Sequence, residues 1–181
     1  MNKDENTIIY TAEDSVNALL LGELKSLIYE HKGSAFIKFV NITISIEYLG
    51  ACLDNHDFLE EGHSKERFDA AIIKLFNKKY HPYAKSDNKY YLYEQFRCPF
   101  THQLRPGKNI VVTHREESKK EGTTHLEQTK CGELVLVLED FYDDLESACK
   151  TLIKLGEKGK LPSIKMQQGH IKLVSLNKNS K

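Results

Sequence analysis

Residues 35–53 run for nineteen positions with no proline and no glycine before Gly50, and this stretch constrains the fold more than any other. Two periodicities compete within it. Ile42, Ile44 and Ile46 alternate as in a strand, while Phe36, Phe39, Val40, Tyr48, Leu49 and Cys52 recur at helical spacing. Strands usually end after about five or six residues, so the length selects a long buried helix against which the other segments must pack.

The flanking segments read as further helices. Thr11 and Asp14 make a capping-box start, with Asp in place of the usual Glu. Val16, Leu20, Leu24, Leu27 and Ile28 then share a face, and Gly33 is the natural stop. After a loop at residues 55–63, Ser64 is placed to cap a helix carrying Phe68, Ile72, Leu75 and Phe76, which ends near Asn77. Residues 80–84 read as a turn because His81 precedes Pro82. Ser86 or Asp87 then caps a fourth helix through Leu92, Phe96 and Phe100, and Pro99 predicts a kink or break within it.

Beyond Arg105, Pro106 and Gly107 the pattern turns to β. Residues 109–113 and 133–139 read as strands joined through a charged stretch at residues 114–122, with residues 124–128 as a third pairing segment. Asp140 or Asp143 opens a last long helix with Leu145, Ala148, Leu152 and Leu155 on one face. A lysine-rich segment, residues 159–181, holds one short strand around residues 171–176. The expectation is a mainly α chain, one domain over residues 1–181. It is a bundle of four to five helices with a small antiparallel hairpin or three-stranded insertion at residues 108–139, before the last helix.

A formal net charge of zero argues against whole-molecule attraction to nucleic acid or an anionic membrane, so any polyanion is met locally. The longest apolar runs, residues 18–21 and 134–138, fall far short of the roughly 20 residues that span a bilayer. The N-terminal residues lack a hydrophobic region with a small-residue cleavage site, which places the chain in the cytoplasm. Cys52, Cys98, Cys131 and Cys149 are widely separated and read as reduced, mostly buried thiols.

The segment most suggestive of chemistry runs from Arg97 through Cys98 and Pro99 to His102, a permanent cation and a titratable imidazole with four residues between them. On an ideal helix the two lie about 140° apart, so their convergence depends on the break at Pro99. Converged, the guanidinium grips a phosphate in two-pronged fashion and the imidazole serves as general base or acid. For RNA, that base deprotonates the ribose 2′-hydroxyl and the cation stabilises charge on the phosphoryl oxygens, with no metal or cofactor. The ordinary alternative is an Arg97 salt bridge to Glu94 or another acid, with His102 at a helix terminus.

Other features point to structure more than to sites. His114 and His125, with Glu116, Glu117 and Glu127, show no compact metal-ligand spacing. Glu139, Asp140, Asp143, Asp144 and Glu146 sit where acids favour a helix N-terminus. Tyr80, Tyr83, Tyr90, Tyr91 and Tyr93 suit packing or an interface, with base stacking as the functional alternative. Lys150, Lys154, Lys158, Lys160, Lys165 and Lys172 oppose only Glu157 and make the C-terminal part locally basic.

The run from Leu92 through Arg97 to His102, at the end of a fourth helix, resembles the HEPN superfamily, whose signature is an arginine followed after four to six residues by a histidine. The resemblance covers the helices of residues 11–105 and 140–156, and only the short motif is specific. It implies an RNA- or nucleotide-binding helical domain. Many such proteins are metal-independent endoribonucleases of toxin or antiphage type, acting as homodimers with two motifs facing each other. An antitoxin or regulatory protein is a further implied partner. Carried over, Arg97 is the phosphate and transition-state cation and His102 the proton-transfer residue. Tyr93, Cys98 and Arg105 are then substrate-contacting neighbours. Cys98 departs from the polar residue common after the arginine and donates only weakly. Other members of the superfamily bind nucleotides or proteins without cleavage.

Overall fold

In a computed structural model, the structure describes residues 7–9, 11–31, 33, 35–162, 165 and 170–172, the first and last of these groups by backbone alone. Helix α3 (Ala35–Ala51) is the centre of the fold, as the length of its apolar stretch predicts. Phe39, Ile42, Ile46 and Leu49 are fully buried while Ile44 is 54% exposed, so the isoleucine alternation breaks at its middle member. The helical period wins.

Before α3 the chain is helical through three successive segments: α1 (Ala12–Ser15), a π-helical stretch (Val16–Glu23) and α2 (Leu24–Tyr29). The capping box at Thr11 and Asp14 forms. Val16, Leu20, Leu24 and Ile28 are buried at a strict spacing of four. An α-helix, with about 3.6 residues per turn, would rotate such a row off the core. The wider π turns hold it on one stripe. Buried Lys38 donates to the carbonyls of Ile28 and His31 at 3.0 and 2.7 Å, satisfying acceptors at the end of α2.

Helix α4 (Ser64–Leu75) crosses α3 at Gly50, where an added Cβ would lie 1.7 Å from the Arg67 carbonyl oxygen. Ser64 is its first residue, not its cap, and donates to Glu47 instead. Lys78–Ala84 forms a 3-10 helix where a turn is expected. The expected cap at Ser86 or Asp87 lies too early, because residues 85–91 are non-helical and the helix begins at Leu92. It continues as a π-helical segment (Tyr93–Arg97) and α5 (Cys98–Gln103). Helix α7 (Leu138–Glu157) starts directly out of a strand, ahead of Asp140, and buries Phe141, Tyr142, Leu145, Ala148, Cys149 and Leu152. Each large apolar side chain buried against α3 contributes about 1.5–3 kcal/mol.

The β region corrects the expected hairpin. Strands β2 (Ile110–Thr113) and β3 (Leu134–Val137) pair in parallel, Ile110 opposite Leu134. Parallel strands need a crossover, and part of it is helix α6 (Arg115–Glu121), which replaces the charged link expected there. Glu116 and Glu117 lie in its first turn, Lys119 and Lys120 in its last, and Gly122 ends it at φ 65°. The antiparallel partner of β3 is the third segment, where Leu126 N–H donates to the Val135 carbonyl and Val135 N–H to the Glu127 carbonyl. Strand β1 (Thr7–Ile9) pairs antiparallel with β4 (His170–Lys172). The C-terminal strand expected to reach residue 176 runs, beyond residue 172, outside the described residues. No helix among the described residues is long and apolar enough to cross a membrane.

Candidate functional site

The helix carrying Arg97 crosses Pro99 without a break, contrary to the expected interruption. Cys98 N–H reaches back to the Tyr93 carbonyl across a π turn, which puts Pro99 in the first turn of α5, where its missing donor is not needed. The acceptor that an α-helical residue 99 would use, the Gln95 carbonyl, instead receives Gly107 N–H at 2.7 Å. A Cβ at Gly107 would sit 2.6 Å from Gln95 Oε1 and 2.9 Å from its carbonyl oxygen. Only glycine allows that approach.

Arg97 points towards α3 and α4. Its Nε and a terminal nitrogen both lie 2.7 Å from Glu47 Oε2, Ser64 donates to Glu47 Oε1 at 2.7 Å, and a guanidinium nitrogen is 3.4 Å from the Ser64 hydroxyl. The partner is therefore Glu47 on α3, not neighbouring Glu94. Burial works against the charge, but the Glu47 carboxylate outweighs it and the guanidinium pKa rises. The guanidinium lies 5.5 Å from the Tyr93 ring centre, and burial, then Cys98, raise the Tyr93 phenol.

Beside this pair is a cleft of about 300 Å³ lined by Ile44, Glu47, Tyr48, Ala51, Phe58, Arg67 and Arg97. Tyr48 and Phe58 stack in its wall at 5.4 Å and 13°. Arg97, Tyr93 and Cys98 thus form one group. His102 is exposed in the last turn of α5 and shares none of Arg97's polar partners, and exposed Arg105 bonds Gln103 at 3.0 Å. Among the described residues no hydrogen bond or ion pair links the arginine to the histidine.

The remaining features resolve into structural roles. Val137 N–H donates to His125 Nδ1 at 2.9 Å, which leaves the proton on Nε2, 2.7 Å from the Tyr80 hydroxyl oxygen. Tyr80 in turn donates to Asp144. Burial pushes His125 down to about 4. Tyr80, Tyr90 and Tyr91 are buried, as a packing role requires. Glu139 receives His114 and Arg115 N–H, and Arg115 also pairs with Asp140 and Asp143. Lys165, read as part of a basic tail, is fully buried and pairs with Asp54 at 3.2 Å. All four cysteines are free thiols, with Cys52 and Cys149 buried.

One grouping was passed over as loop: His56, Glu60 and His63, whose spacing of four and three residues was its signal in the sequence. No protein-family model, no curated protein and no solved structure matches the chain.

Proposed function

We propose that this protein is a HEPN-like helical RNA-binding protein, in which Arg97 takes a backbone phosphate of single-stranded RNA and the Tyr48 and Phe58 pair takes an adjacent base. The observation that carries this reading is the cleft, with a guanidinium at its rim and a stacked aromatic pair in its wall. A guanidinium suits phosphate through paired N–H donors, and an aromatic face accepts any base. Glu47 holds the guanidinium in the free protein, so RNA must exchange a phosphate for that carboxylate.

Binding is favoured over cleavage because Arg97 and His102 share no polar partner among the described residues. Cleavage requires a second copy. Phe36, 42% exposed and 6.0 Å from Phe100, and Leu104, 56% exposed, offer an apolar surface at the end of α5 where a homodimer can form. A regulatory or antitoxin-type protein would compete for that surface.

The test is fluorescence anisotropy with labelled single-stranded RNA in chelator, comparing the native chain with Arg97→Gln. The variant should bind at least about tenfold more weakly, a loss of roughly 1.4 kcal/mol, with a shallower salt dependence. Equal affinity would overturn the proposal. Chelator-resistant cleavage leaving a 2′,3′-cyclic phosphate, lost in both Arg97→Gln and His102→Ala, would replace binding with the nuclease reading.

A further inference from the structure

His56, Glu60 and His63 hang from the loop between α3 and α4, and their side chains meet. His56 Nδ1 and His63 Nε2 lie 3.0 and 3.1 Å from the same oxygen, Glu60 Oε1, and the three atoms are all within 4.8 Å of one another. In a tetrahedral zinc site with bonds of about 2.0–2.1 Å, neighbouring ligand atoms stand about 3.3 Å apart. The two N···O separations are close to that value, so a cation would take the place of these hydrogen bonds.

The loop is held in place from below by two buried cations. Arg67 donates to Asp54 Oδ2 at 2.7 Å and to the carbonyls of Asp57, Phe58 and Glu60 at 2.6, 3.2 and 3.4 Å. Lys165 donates to the His56 carbonyl and pairs with Asp54. Burial pushes the Asp54 carboxyl up, but these donors outweigh it and hold it below the usual carboxylate range. Asp54 is thereby committed to the scaffold. The three outward side chains are free to serve a ligand, being 46%, 47% and 26% exposed in sequence order.

We propose that His56, Glu60 and His63 form a binding site for a divalent cation of the zinc class. Two imidazoles and a carboxylate suit zinc, cobalt or nickel rather than magnesium or calcium, which prefer all-oxygen shells. Three protein ligands leave a fourth position for water or an exogenous group. A cavity of about 190 Å³ lined in part by His56, His63, Glu66 and Lys74 provides room for it. The imidazoles now stack at 3.8 Å and 20°, and lone pairs in nearly parallel planes do not converge. Binding therefore turns at least one ring. This site stands apart from the RNA reading, since neither Arg97 nor His102 contributes to it.

The 181-residue chain without a tag, stripped by chelator and dialysed, is titrated with Zn²⁺ in a calorimeter and separately with Co²⁺ in a spectrophotometer. The expected result is one zinc per chain, a zinc-induced rise in Tm and the visible absorption of four-coordinate cobalt. His56→Ala with His63→Ala should abolish all three, Glu60→Gln should weaken zinc at least tenfold, and His114→Ala should leave binding unchanged. If the double variant fails to fold, Glu60→Gln decides alone, because its side chain is exposed and its shape is kept. Absence of binding in the native chain, or unchanged affinity and stoichiometry in the double histidine variant or, where that variant is unfolded, in Glu60→Gln, would overturn the site.

Discussion

Mild acid should weaken this fold through His125 before its carboxylates titrate. The imidazole accepts a hydrogen bond from Val137 N–H on Nδ1, so protonation removes that acceptor and places a charge among Tyr80, Phe141 and β3. Burial lowers its pKa to about 4, against about 6.5 in an unfolded chain. Between those values the unfolded chain binds a proton that the fold does not, so stability falls as pH falls. The contribution is complete above about pH 6.5 and is lost on the way down to about pH 4, with a slope approaching 1.4 kcal/mol per pH unit and a total of about 3 kcal/mol. Donors outweigh burial at Asp54 and Glu139, and Lys150 leads the lowering at Glu146, so these carboxylates give up stability only below about pH 4.5. Urea unfolding of the native chain and His125→Gln at pH 7, 6, 5 and 4.5 separates the two effects. The variant should be less stable at pH 7 and nearly flat through the upper window. Parallel pH profiles would refute the assignment.

Three substitutions test the packing that positions the sites. Gly50→Ala drives a methyl group into the Arg67 backbone and should destabilise the chain by about 3 kcal/mol or more, read as a fall in Tm or loss of cooperative melting. Gly107→Ala displaces the strand-side turn from Gln95 and should cost about 1–3 kcal/mol, with faster hydrogen exchange at residue 107. Arg67→Met strips three loop carbonyls of their buried donor and leaves Asp54 with Lys165 as its remaining cation, and should cost about 3–5 kcal/mol in urea unfolding.

Features set by near neighbours were legible in the sequence. The Thr11 capping box joins groups three residues apart, and α3 was chosen by length over a misleading isoleucine alternation. Helix α6 was missed although its acidic first turn, basic last turn and terminal glycine lay in the sequence, because it carries no apolar residues to show a helical period. Pairings across long separations were not legible. The run of apolar residues in β3 fits either direction of pairing, and the choice of β2 as a parallel neighbour depends on how the intervening chain folds back. The site divides in the same way. Arg97 was singled out with Tyr93 and Cys98, its local neighbours, whereas Glu47 lies fifty residues away and Ser64 thirty-three. Pro99 misled because its effect on a helix depends on whether the i−4 carbonyl finds another donor, and Gly107 supplies one. Lys165 read as a solvated tail because its acid partner, Asp54, belongs to a distant loop.

The central claim is that the Arg97 guanidinium is a phosphate receptor kept occupied by Glu47. Glu47→Gln tests it most directly, because it removes the competing charge while keeping a group of the same shape beside the cation. In anisotropy titrations with single-stranded RNA, the account predicts binding about tenfold tighter for Glu47→Gln and at least tenfold weaker for Arg97→Gln, relative to the native chain. Affinity that falls or stays the same in Glu47→Gln would contradict it.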